Sequence, residues 1–110
     1  MKTVKIDTNK IVDWNSFHKV FSDTMGFPGF YGNNMNAWID CMTDIDNPGT
    51  GMTSVLVGKN ETLVIELSNG RDLKERLPEI HEAILECSAF VNLRKLEFNE
   101  KALIAVSTNA

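Results

Sequence analysis

Phe27-Pro28-Gly29-Phe30-Tyr31-Gly32-Asn33-Asn34-Met35-Asn36-Ala37-Trp38-Ile39-Asp40-Cys41-Met42-Thr43 is the stretch that decides how the chain folds. An aromatic loop runs straight into a short amphipathic helix. Pro28 fixes its own φ and pushes Phe27 toward extended geometry, so no helix passes through this point. Asn33 or Asn34 is placed to cap the helix that follows, because a side-chain oxygen there accepts one of the N–H groups the first turn leaves free. At about 100° per residue, Met35, Trp38, Ile39, Met42 and Ile45 fall on one side and read as core. Asn36, Asp40 and Thr43 line up on the opposite side with Asp44 beside them, a polar stripe that faces solvent or a partner. Large aromatic side chains beside a helix N-terminus recur at recognition surfaces, and nothing in the stretch points to catalysis.

Working outward, Thr3-Val4-Lys5-Ile6 reads as a short strand, and Asp13 caps a helix whose apolar positions Trp14, Phe17, Phe21 and Met25 recur at three and four residues before Gly26 ends it. Downstream, Asp46 to Gly51 is a loop. Ser54–Val57 and Thr62–Leu67 read as strands around Gly58-Lys59-Asn60, a hairpin that would extend the sheet. The apolar run Leu63 to Ile65 points to a strand buried on both faces. Arg71 to Arg76 forms a short helical piece, and Pro78 suits the first turn of a longer helix. There Ile80, Ala83, Ile84, Cys87 and Val91 share one face, and Glu79, Glu82 and Glu86 another. Ala102 to Val106 is a final apolar strand. Strands separated by helices give an α/β fold, a small and mostly parallel sheet packed with three to four helices, as a single domain over 1–110.

The 110 residues, 43% hydrophobic and 24% charged, suffice for one core without disulfides or metal. The N-terminus lacks the apolar segment of a signal peptide and no stretch approaches the roughly 20 apolar residues of a membrane span, so a cytoplasmic protein with no membrane partner is expected. Cys41 and Cys87 fit free thiols on apolar helix faces. The net charge of −4 argues against a nucleic-acid partner. Between Lys19 and Lys59 there is no basic residue, while Asp23, Asp40, Asp44 and Asp46 lie in that interval. Such a field steers a basic partner.

Enzyme signatures are weak. His18 and His81 stand in no metal-ligand spacing and read as structural, and no cofactor or metal is implied. Gly49-Thr50-Gly51 and Gly58-Lys59 lack the remaining residues of a dinucleotide fingerprint or P-loop. Cys41 has no neighbouring base to make it a thiolate. Asp40 and Asp44 on an exposed helical face have little reason to titrate unusually.

From Ile6, through the capped first helix with His18, through Pro28-x-aromatic-Tyr31-Gly32-x-Asn34, to Asp40-Cys41-Met42-Thr43, the chain resembles the barstar family of intracellular ribonuclease inhibitors, without a gap. Beyond Asp44 the resemblance is one of element order, and Pro48 to Lys59 reads as an insertion. The resemblance implies a three-stranded parallel sheet and an inhibitor, or immunity protein against a toxin, that plugs the basic active site of a ribonuclease with an acidic helix and its preceding loop. It implies partner contacts from Phe30, Tyr31, Gly32, Asn34, Asn36, Ile39, Asp40, Thr43 and Asp44, with Asp40 central. Asn36 stands where the family usually has aspartate, and Ile39 where an aromatic residue precedes the central acid. A glutamate of the long helix also contributes in the family, with Glu79, Glu82 and Glu86 as candidates. A barstar-like module with a non-nuclease partner is the alternative.

Overall fold

The computed structural model describes residues 2–110. Strand β1 (Lys2–Ile6) is followed by helices α1 (Trp14–Met25) and α2 (Met35–Thr43), strand β2 (Leu63–Leu67), helices α3 (Gly70–Arg76) and α4 (Pro78–Glu97), and strand β3 (Ile104–Ser107). Short 3-10 turns cover Thr8–Lys10 and Pro48–Thr50. The sheet has the order β1-β2-β3 and is parallel throughout, with Val4 beside Ile65 and Ile65 beside Val106.

This strand order explains which face is covered. Successive parallel strands joined by right-handed crossovers and laid down in one direction place every crossover helix on the same side. Accordingly Val4, Ile6, Leu63, Ile65, Leu67 and Ile104 are buried, while Thr3, Lys5, Glu66 and Ala105 are exposed. The continuous apolar run in β2 is therefore misleading: Val64 is only half-buried, and the strand has one core face instead of two. On the open face Lys5 stands directly opposite Glu66, an opposite-charge pairing that suits solvent.

The anticipated hairpin does not form. Residues 54–57 are irregular because their backbone donors are taken by helix ends: Ser54 and Val55 N–H both donate to Met25 O, and Val57 N–H donates to Ile45 O at 2.9 Å. Thr53 Oγ1 adds a third hydrogen bond to Met25 O at 2.9 Å. Gly26 ends α1 with φ +69 and packs so closely on Ser54 that a side chain there would collide with it. The segment thus closes the C-terminal end of α1 and joins it to the end of α2, leaving the sheet at three strands.

The helix starts follow local chemistry. Asp13 accepts from Ser16 N–H at 2.8 Å and Ser16 Oγ accepts from Asp13 N–H at 3.0 Å, a reciprocal capping box. Asn34, not Asn33, caps α2, accepting from Ala37 N–H at 2.8 Å. Asn33 takes φ +53, a left-handed conformation asparagine tolerates. The core gathers Phe17, Phe21, Met25, Trp38, Met42, Ile45, Leu73 and Ile84, all fully buried. Phe21 meets Trp38 edge-on at 5.6 Å.

Two positions test this packing. A methyl at Gly70 would strike the Thr108 carbonyl, so Gly70→Ala is expected to cost about 3 kcal/mol or more. Ser88 Oγ is buried without a hydrogen-bond partner, so Ser88→Ala is expected to be neutral or to stabilise by about 1 kcal/mol. Urea midpoints of the two variants check both; a stable Gly70→Ala protein would contradict the close approach of α3 to the C-terminal segment.

Candidate protein-docking surface

The loop before α2 is rigid for reasons visible in its contacts. Tyr31 N–H donates to Pro28 O at 2.9 Å, closing a tight turn. The Tyr31 ring is buried against Phe27, with centroids 4.8 Å apart, and its hydroxyl meets His18 Nδ1 at 2.6 Å. Asn34 Nδ2 donates to Gly32 O at 3.2 Å while its oxygen caps α2, so this one side chain ties the loop to the helix. Of the expected contact residues, Tyr31 is buried in the loop's own packing, while Asn34 stays exposed and also caps α2. Phe30 is different. Its ring is 77% exposed, the most accessible aromatic side chain of the loop.

On α2 the expected two faces are present. Trp38, Cys41 and Met42 are buried, as is Ile45 just beyond its end; Met35 and Ile39, expected in the core, are half-buried at its edge. Asn36 and Asp40 are exposed, Thr43 and Asp44 half-buried, and Thr43 Oγ1 donates back to Ile39 O at 2.6 Å. Gly32 is exposed beside the cap. Phe30, Gly32, Asn36, Ile39, Asp40, Thr43 and Asp44 therefore lie along one loop and the outer side of one helix.

Ion pairing narrows the acidic field. Asp23 is held by Lys19 at 3.0 Å. Asp46 lies against Lys95 Nζ at 3.0 Å, with side chains only 5% and 14% exposed. Neither adds an uncompensated charge. Among the described residues, Asp40 and Asp44 are the acids of this interval without an ion-pair partner. Their charge reaches Cys41, whose thiol is pushed up to about 11, first by burial and then by these two carboxylates. That thiol is no nucleophile at neutral pH. No group of three His, Cys, Asp or Glu among the described residues could hold a metal ion.

The long helix α4 borders this stripe. The α4 side chain that reaches the α2 stripe is Arg94, with Nη1 3.4 Å from Thr43 Oγ1, and not a glutamate. Glu82 and Glu86 are exposed on α4, and Glu79 lines a separate groove with Val12, Asp13 and Trp14. Arg94 belongs to neither face that the periodicity of α4 defines; Phe90-x-x-x-Arg94, an aromatic–cation pair at i and i+4, is the sequence signal that marks it.

His18 links stability to pH. Burial lowers its pKa, and burial with the Lys74 charge lowers that of His81. The fold therefore favours both neutral rings, and the unfolded chain binds more protons near its reference pKa of about 6.5. Stability from these groups is full above that value and is lost as pH falls below it. The melting temperature is expected to drop between pH 7 and 5, less steeply in His18→Gln; an unchanged slope in the variant would contradict the assignment. Tyr31→Phe, which leaves His18 Nδ1 unpartnered, is expected to cost about 1–3 kcal/mol.

A family model described as Barstar (barnase inhibitor) matches residues 1–103. No curated protein matches the chain.

Proposed function

The chain belongs to the barstar family, and from that premise we propose that it inhibits a ribonuclease by seating the outer side of α2 and the Phe30 loop in the enzyme's basic active site. In a cell that makes such a nuclease, the same act is immunity. The observation that carries this reading is the pairing pattern: Asp40 on the exposed side of α2 and half-buried Asp44 at its C-terminal end are left uncompensated, while Asp23 and Asp46 are neutralised. A ribonuclease site is cationic because it binds phosphate, and a rigidly held carboxylate is a complement to it. Asp40 is fully on the exposed side and is the central contact; Asp44 adds charge at the far end.

The scaffold supports the role energetically. Binding costs are lowest when the docking groups are ordered beforehand. The loop turn, the Tyr31–His18 hydrogen bond and the Asn34 cap supply that order in the free protein. Phe30, exposed and flanked by the stripe, is suited to fill an apolar recess beside the basic cleft. A second reading, a non-nuclease partner, is favoured by Asn36, which presents an amide where a carboxylate would strengthen the field.

Titration of the protein into a barnase-type ribonuclease assay tests the proposal. Stoichiometric inhibition is expected, with Asp40→Ala weakening it by about a hundredfold or more. Asn36→Asp is expected to alter which ribonucleases are inhibited. Full inhibition by Asp40→Ala would show that the contact surface lies elsewhere, and inhibition of no ribonuclease would favour the second reading.

A further inference from the structure

The side of α4 that borders α2 carries a charge of the opposite sign to Asp40. Arg94 is exposed, its guanidinium lies 5.2 Å from the Phe90 ring centroid, and Nη1 sits 3.4 Å from Thr43 Oγ1. The chain has three arginines. Arg71 is within 3.8 Å of Glu75 and Arg76 within 2.7 Å of Asp72, whereas Arg94 has no carboxylate partner among the described residues. Stacking on Phe90 holds a guanidinium in place without using its hydrogen-bonding edge. Apart from the long Nη1 contact to Thr43, its donors remain available.

Around it lies a shallow groove of about 580 Å³, lined by Thr43, Arg94, Lys95, Phe98 and Glu100. Its other charges are already compensated: Lys95 binds Asp46, and Glu100 is 3.0 Å from Lys59 and 3.8 Å from Lys95. Arg94 is therefore the one uncompensated charge of the groove. Phe98 is 79% exposed at one wall and Phe90 47% exposed beside the guanidinium, so the cation is framed by accessible aromatic surface. Thr43 belongs at once to this groove and to the α2 stripe, which makes the two surfaces continuous.

We propose that Arg94, framed by Phe90 and Phe98, is a second docking element of the same surface and takes a carboxylate of the protein partner that lies next to the partner's basic cleft. This rests on the proposed inhibitory role. A fixed guanidinium accepts a carboxylate in a two-pronged geometry, and burying the pair against aromatic rings strengthens it. The partner surface is consequently bipolar, cationic where it meets Asp40 and anionic where it meets Arg94. Two opposite charges at fixed separation allow one docking orientation and reject a uniformly basic surface. An RNA phosphate is the less suitable anion, since unpaired Asp40 on the adjoining helix, Asp44 at its C-cap and the net charge of −4 repel a polyanion.

Inhibition constants for a barnase-type ribonuclease, measured for the parent protein, Asp40→Ala, Arg94→Ala, Arg94→Lys and Arg94→Glu, test this, with thermal melts confirming that each variant is folded. Arg94→Ala is expected to weaken inhibition about tenfold and Arg94→Glu about a hundredfold, with Arg94→Lys in between. If Asp40→Ala abolishes inhibition while Arg94→Glu leaves it unchanged or improves it, the Arg94 element is overturned and the inhibitory role stands. If the parent protein inhibits nothing, that role fails and the Arg94 element with it. A labelled single-stranded RNA oligonucleotide that binds the free protein and is released by Arg94→Ala would also overturn the proposal, by showing that the anion is phosphate.

Discussion

The position of the proposed docking surface depends on the burial of Trp38. A helix of nine residues is too short to persist in water on its own, since isolated helices below about 12–15 residues are marginal. What holds α2 is tertiary packing, and Trp38, fully buried edge-on against Phe21, is its largest anchor. Burying the indole leaves Trp38 Nε1 without a hydrogen-bond partner, a cost of about 1–3 kcal/mol that the packing exceeds. Because the inner side of α2 is secured by Trp38, Cys41 and Met42, with Ile45 just beyond its end, the outer side needs no apolar residue for stability. It is free to be polar. Asp40, two positions beyond Trp38, is pointed outward by the same rotation that points the indole in.

Charge pairing then sorts the acids into structural and available ones. The buried Lys95–Asp46 pair fastens the segment after α2 to α4, and the exposed Lys19–Asp23 pair lies within α1. The first has a structural role because both partners are withdrawn from water and breaking it would strand a charge; the second, open to solvent, contributes little. Asp40 and Asp44 have neither kind of partner among the described residues. Arg94, equally unpaired by a carboxylate, meets the same stripe at Thr43. Folding leaves two kinds of free charge next to each other, an arrangement more suited to a shaped protein surface than to a general electrostatic attraction.

Local chemistry in the sequence was sufficient for the helices. The Asp13 and Asn34 caps, the left-handed Gly26 and Pro78 in the first turn of α4 each announce a boundary through one side chain or one φ value. The two faces of α2 follow from its period, apart from Met35 and Ile39 at the edge. What sequence did not reveal depends on contacts distant along the chain. Ser54 to Val57 has the composition of a strand, yet its hydrogen bonds go to Met25 and Ile45. The strand order leaves one sheet face open, which no local pattern in β2 discloses. Asp23 and Asp46 look as available as Asp40 until their lysine partners are known, one of them 49 residues away. The Tyr31–His18 hydrogen bond likewise joins two residues that no local pattern pairs.

The most direct measurement is a hydrogen-exchange footprint of the protein with and without a bound barnase-type ribonuclease. Added protection across residues 28–44 together with residues 90–98, and none on the open face of the sheet, is the expected result. Protection centred on Thr3, Lys5 and Glu66 instead, with residues 28–44 unchanged, would contradict α2 as the docking element.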